Sequence, residues 1–247
     1  MSLAQHLLEL RKRLFRSALA VLVAAIVGFI VAPFVLALLR EPITQLAGEA
    51  QLNYDSLTGP FDLRVQIAIT VGIVLASPVW LYQIFAYVTP ALTRTEKRYT
   101  FGFFFSAVPL FLVGCAAGFF IFPEIVSVLA RFAPPEDSTI LLSKYYVDFA
   151  LKLILAVGVA FVLPVFVVLL NFMGVISAKA ILTGWRWAIL SITVFCAFAT
   201  PAADVFSMFL LAIPMIGLYF AAVGIAWMRD RVVARRRARL VTEGAPL

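Results

Sequence analysis

Charge is what this chain has least of. Only 13% of its 247 residues are Asp, Glu, Lys or Arg, about half the share in an ordinary soluble domain. With 64% of residues hydrophobic, that scarcity excludes a soluble globule, because a domain this small keeps much of its surface in water. Histidine occurs once, at His6, and cysteine twice, at Cys115 and Cys196. This leaves no CxxC pair and no Cys/His cluster for a metal, and the two thiols read as small buried hydrophobes. HExxH, GxSxG and glycine-rich phosphate loops are missing, so no groups converge into a catalytic centre. The chain is therefore expected to be no enzyme, with no catalytic residue, metal, cofactor or nucleic-acid partner. Its net charge of +7 lies between and beyond the apolar runs, where basic residues orient spans in a bilayer.

What is present is a succession of apolar stretches. They predict an all-α integral membrane protein, a single domain over 1–247 with six transmembrane helices. The expected spans are about 17–39, 64–87, 100–122, 149–172, 187–200 and 205–228, followed by a cytoplasmic basic tail over 229–247. Polar stretches at 40–63, 88–99, 123–148 and 173–186 read as the connections. The first run is too long for the core of a cleaved leader and reads as a retained span. Fifteen of the twenty Lys and Arg fall on the side that holds both termini, four fall on the other, and Lys152 lies within a span. That asymmetry predicts both termini in the cytoplasm.

Shape follows from proline and length. Pro78, Pro109, Pro164 and Pro214 fall inside spans, where each removes a ladder hydrogen bond and bends its helix. The fifth span reaches only about 21 Å against a hydrocarbon core of about 30 Å. Spans five and six are therefore expected to be short or interrupted, within a curved, concave bundle. Gly114 and Gly118 form a small-xxx-small pair, read as a packing notch within the chain. Asp148 and Lys152 stand at the i,i+4 spacing of a helix-face ion pair.

Ionisable groups gather on the predicted cytoplasmic side. Carboxylates are rare there: before residue 240 only Glu9, Glu96 and Asp230. A lone acid among bases neutralises its neighbours, or it receives an arginine guanidinium through bidentate bonds. Spacing leaves both readings open.

The stretch His6-Leu-Leu-Glu9-Leu-Arg11-Lys-Arg13-Leu14 resembles the opening of the TatC family, the large polytopic subunit of the twin-arginine protein translocase. Ser77-Pro78-Val79-Trp80-Leu81-Tyr82-Gln83, Pro90-Ala91-Leu92, Glu96-Lys97-Arg98, Gly158 to Pro164-Val165, and Asp204 to Pro214 continue the resemblance through nearly the whole chain. It implies a receptor for twin-arginine signal peptides and a core for exporting folded proteins across the bacterial inner membrane. The paired arginines of the signal would meet Glu9 and Glu96, with Arg11, Arg98 and Tyr87 beside them. Pro42, Phe61 and Asp204 match positions needed on the periplasmic side. Implied partners are small single-span subunits of the TatA and TatB type, in a homo- or hetero-oligomer. Anionic lipid beside the tail arginines is a further expected partner.

The chain departs from the family pattern at Val162, Met208 and Phe220, which are apolar where many relatives carry polar groups. Val162 and Met208 are thus the candidates for a more apolar docking of the small subunits. A small-molecule transporter is the alternative class, and it would require the mid-membrane charges that are nearly missing here.

Overall fold

Helix is the only regular structure among the described residues, as a lipid-embedded backbone requires, since lipid offers no water to unpaired N–H and C=O groups. The computed structural model describes residues 3–47, 54, 56–88, 94–130, 143–199 and 205–242; side chains at 3–4, 42–47, 88, 94–101, 128–130, 199, 206–207, 210 and 236–242 are outside the description. The helices are α1 (Leu3–Ala47), α2 (Gly59–Leu75), α3 (Ser77–Val88), α4 (Arg94–Ala130), α5 (Ser143–Phe172), α6 (Ala178–Thr183), α7 (Trp185–Ala199) and α8 (Val205–Thr242). Four of them, α1, α4, α5 and α8, are long and apolar enough to cross a membrane. The pair α2–α3, bent by 56°, makes a fifth if taken as one span, and α7 is a shorter apolar helix.

Glycine lets the helices approach. α1 packs along α2 and α4 along α5. A Cβ on Gly28 would strike the backbone of Ala68, and one on Gly72 would come within 2.9 Å of the Val21 carbonyl. Across α4 and α5, a Cβ on Gly114 would lie 2.9 Å from Gly158 Cα, and one on Gly118 would lie 3.0 Å from Ile154 Cα. Gly114 and Gly118 are thus a notch for α5, as their spacing predicts. Around these contacts Leu63, Ile67, Phe122, Ile125 and Leu153 are buried in one cluster, and Leu81, Phe85, Phe111 and Leu169 in another.

Several boundaries differ from the sequence reading. α1 continues past 39 to Ala47, through Pro42, so the first connection is much shorter than the expected loop. α4 starts at Arg94 and runs through Pro123 to Ala130, while α5 starts at Ser143, so helix occupies both ends of the expected 123–148 loop. α8 is one unbroken helix with Pro214 inside it, so a short sixth span is corrected; shortness holds for the 15-residue α7 alone. In lipid the remaining ladder bonds have no competitor, and one missing bond need not end a helix.

Among the described residues, the break between α2 and α3 falls beside a proline for a local reason. Ser77-Pro78 opens α3, where a missing N–H costs little, and the Trp80 indole donates to the Ile73 carbonyl at 2.9 Å across the break. Pro33, inside α1, adds a further helix proline to those noted above. After α5 the chain turns at Gly174, whose φ of 74° suits glycine.

Two ends of the bundle can be defined by contact. His6 of α1 stacks on Tyr87 of α3, Phe103 of α4 meets Phe172 of α5 at 5.0 Å, and Asp230 of α8 binds Ala178 of α6. This chain of contacts forms the N-terminal end. At the opposite end the Tyr146 hydroxyl of α5 donates to the Leu39 carbonyl of α1 at 2.7 Å.

Replacing Gly28 by Ala is expected to lower thermal stability in detergent by about 1–3 kcal/mol, since backbone rather than a flexible side chain must yield. Gly217 faces open space, so Gly217→Ala is expected to be neutral or stabilising by up to about 1 kcal/mol. Melting of the two variants beside the parent chain checks the opposite signs.

Candidate functional site

At the N-terminal end, α3 holds one face in the core and offers the other to α1. Leu81 and Phe85 are buried, and Phe85 stacks on Phe166 of α5 at 4.8 Å. Gln83 and Tyr87, two and six residues after Leu81, are left to meet the first turns of α1. There Arg13 Nη2 and Nε donate to Glu9 Oε1 at 2.6 and 3.0 Å. Arg13 Nη1 also reaches Gln83 Oε1 at 3.3 Å. The His6 and Tyr87 rings stack with centroids 4.5 Å apart. These contacts pin the start of α1 along α3.

The pair is neither buried nor free: the Glu9 and Arg13 side chains are 23% and 20% exposed. Both bonds to Glu9 end on Oε1, so among the described residues Oε2 accepts none. A carboxylate with one oxygen fixed by an internal guanidinium and the other open remains an oriented acceptor for a second guanidinium. Arg11 is exposed beside it, with Lys12 and Arg16. Glu96 and Arg98 lie in the first turns of α4, and their side chains are outside the described residues.

Asp230 contrasts with Glu9. Its Oδ2 accepts from Ala178 N at 2.8 Å, and its Oδ1 accepts from Asn171 Nδ2 at 3.2 Å and Arg229 Nη1 at 3.3 Å. Arg229 in turn donates to the Asn171 and Phe172 carbonyls at 2.6 and 3.0 Å. This carboxylate is consumed in tying α8 to the α5–α6 turn. Of the sparse carboxylates at this end, Glu9 alone among the described side chains presents an open oxygen.

At the opposite end, Phe61 of α2 meets Phe29 of α1 edge-on, with centroids 6.4 Å apart. The Arg64 guanidinium lies 4.5 Å over the same Phe29 ring, and its Nε donates to the Phe29 carbonyl at 3.2 Å. That carbonyl is four residues before Pro33, whose missing N–H leaves it without its ladder donor. Arg64 supplies the donor from the neighbouring helix. Pro42 lies within α1 with its side chain outside the described residues, and Asp204 lies outside them altogether. The ion pair expected at Asp148 and Lys152 forms at 2.6 Å, and Gln66 Nε2 of α2 also donates to Asp148 Oδ1 at 2.6 Å.

The remaining candidates are not brought together. Val162 is buried beside Phe85 and Phe111, while Met208 packs, partly exposed, against the separate cluster containing Cys196 and Met215. Sequence reasoning missed Arg13, Gln83, Arg64 and Gln66 as individual contributors. Glu9–Arg13 carries the i,i+4 signal of a helix pair; the others act across helices and leave no local trace.

A family model of the Sec-independent protein translocase protein TatC matches residues 5–214. This chain belongs to the TatC family. It is 41% identical over 243 residues to the TatC of Xylanimonas cellulosilytica, covering 96% of this chain and 88% of that one. It is 32% identical to the TatC of Aquifex aeolicus over 237 residues, covering 94% and 97%. A crystal structure of the twin-arginine translocase receptor TatC in DDM superposes with a TM-score of 0.80 at 32% identity, covering 90% of this chain and 99% of that one. The TatC match includes Glu9, Tyr87 and Glu96 and stops before the Arg229–Asp230 tie. A membrane protein of the protein-transport class is thereby shown, with helices long and apolar enough to span.

If Arg64 replaces the donor that Pro33 lacks, its value depends on that proline. Arg64→Met is expected to lower the melting temperature in detergent, and the loss should shrink by at least about half in a Pro33→Ala background. A thermal double-mutant cycle over these two positions measures it.

Proposed function

We propose that this TatC-family chain captures twin-arginine signal peptides at the cytoplasmic face of the bacterial inner membrane and forms the core of a translocase for folded proteins. The observation that carries the proposal is the Glu9 carboxylate, held on one oxygen by Arg13 and open on the other. One arginine of the signal would bind Glu9, and the second would bind Glu96 at the start of α4. Arg11 and Arg98 would tune the local field, and Tyr87 would offer its ring face to a guanidinium. Lysine keeps the charge but loses the planar fork, so a twin-lysine signal should bind poorly.

Exposed charge pairs contribute only about 0–1 kcal/mol each, so the apolar part of the signal must add affinity. A wholly apolar depression lined by Val21, Ile73, Trp80, Phe111, Leu155 and Val159 lies where α2 breaks into α3. It supports a seat for that segment in a concave bundle.

The proposed topology has six spans, α1, α2–α3, α4, α5, α7 and α8, in one domain over 1–247 with both termini in the cytoplasm. The 15-to-4 distribution of Lys and Arg supports it. Pro42, Phe61 and Asp204 would then act on the periplasmic side, with Phe61 packed on the Arg64–Phe29 contact. Small single-span subunits of the TatA and TatB type would dock around Met208, where Phe209 and Ile213 are exposed; Val162, buried in the other cluster, would act on docking only through the packing of α5. The tail arginines would meet anionic lipid, and the chain would work as part of an oligomer.

Site-specific photocrosslinking from position 83 to a precursor tests the proposal. An Arg-Arg signal should crosslink, while a Lys-Lys signal should lose about tenfold or more, as should Arg-Arg with the Glu9→Ala/Glu96→Ala variant. Equal crosslinking in all three would reject the assignment of these carboxylates.

A further inference from the structure

A groove between α6 and α7, apart from the Glu9 site, has a different chemistry. It is lined by Ser177, Lys179, Ala180, Thr183, Gly184 and Trp187. Lys179 is exposed and forms no ion pair among the described residues. Ser177 Oγ accepts the Ala180 N–H at 3.2 Å, which leaves its own hydroxyl proton free to donate. Asp230, whose carboxylate binds Ala178 N, is committed to its ties with α5 and α6 and does not neutralise the groove. Arg186, next in chain to the tryptophan of the groove, lies with its guanidinium 5.6 Å over the Trp185 ring and adds a second cation nearby.

The groove opens directly onto an apolar track. Trp187, Leu190, Val194 and Phe198 follow one another at helical spacing down one face of α7, and they are 75%, 53%, 47% and 87% exposed. Tryptophan at the mouth of such a track suits the headgroup level of a bilayer, where its ring is apolar and its N–H polar. A cation and a hydroxyl donor at one end, followed by a strip of bare apolar surface, match one ligand form: a phosphate joined to an acyl chain.

We propose that the α6–α7 groove binds the phosphate of an anionic phospholipid, with Lys179 and Ser177 holding the headgroup and the α7 track carrying an acyl chain. A free phosphate would share the headgroup chemistry but would leave the track unused. The site differs from the tail arginines, which attract anionic lipid through charge alone. The inference rests on the cytoplasmic-face placement proposed above, yet its readout needs no signal peptide, so either reading can fail without the other.

The test uses the full chain in phosphatidylcholine vesicles containing brominated phosphatidylglycerol or, in parallel, brominated phosphatidylcholine. Quenching of the fluorescence component lost in Trp187→Phe reports lipid at the groove. The expected result is a preference for the glycerol lipid of about fivefold, the scale of one basic side chain at a membrane surface. That preference should fall towards unity in Lys179→Gln/Ser177→Ala, persist in Arg235→Gln/Arg236→Gln/Arg237→Gln, and resist millimolar inorganic phosphate. No preference in the parent chain, one that survives the groove variant, or one lost with the tail arginines would overturn the proposal. Displacement by inorganic phosphate would also overturn it, by showing a site for a soluble anion.

Discussion

Lipid offers a backbone no water, so a carbonyl that loses its ladder donor is best served by another donor from within the chain. The ties between helices follow from this constraint. Pro33 strips a donor from the Phe29 carbonyl, and Arg64 brings one from α2. Where α2 breaks before Pro78, the Trp80 indole takes the Ile73 carbonyl. Tyr219 of α8 donates to the Ile181 carbonyl of α6 at 2.5 Å, as Tyr146 does to α1. Prolines that would weaken a soluble helix become places where one helix grips the next. The glycine notches bring the backbones close enough for that.

The same scarcity of solvent sorts the charges. Asp148 is held by Lys152 and Gln66, and Asp230 by Arg229, Asn171 and a backbone N–H. Both are structural, because their oxygens serve to join helices. Glu9 is also paired, but Arg13 occupies only one of its oxygens and simultaneously reaches Gln83 of α3. The internal ion pair therefore orients the acid without exhausting it. The two readings left open by spacing, neutralisation of neighbours and reception of a guanidinium, are compatible in this geometry.

The apolar runs, the i,i+4 pair at Asp148–Lys152 and the Gly114/Gly118 notch were legible in the sequence because each is local and periodic; Glu9–Arg13 carries the same local spacing but was not singled out. Helix ends were not. Loop-like composition at 40–47 and 123–130 is overridden by continuation of α1 and α4 through Pro42 and Pro123. The carbonyl orphaned by Pro33 could be inferred from one residue, but its donor lies thirty-five residues away on another helix. Gln83 is likewise a neutral side chain that gains its role only when α3 folds back against α1. The burial of Val162 in one cluster with Phe85 and Phe111 likewise depends on packing between helices that no local signal announces.

The central claim is electrostatic: an oriented carboxylate at Glu9 binds an incoming guanidinium. Affinity of a twin-arginine signal peptide for the purified full chain, measured from on the order of 0.05 to 0.5 M salt, tests it most directly. The account predicts affinity that falls several-fold with salt for the parent chain, and weaker, flatter binding for Glu9→Gln. Equal affinity and equal salt dependence in the two proteins would contradict it.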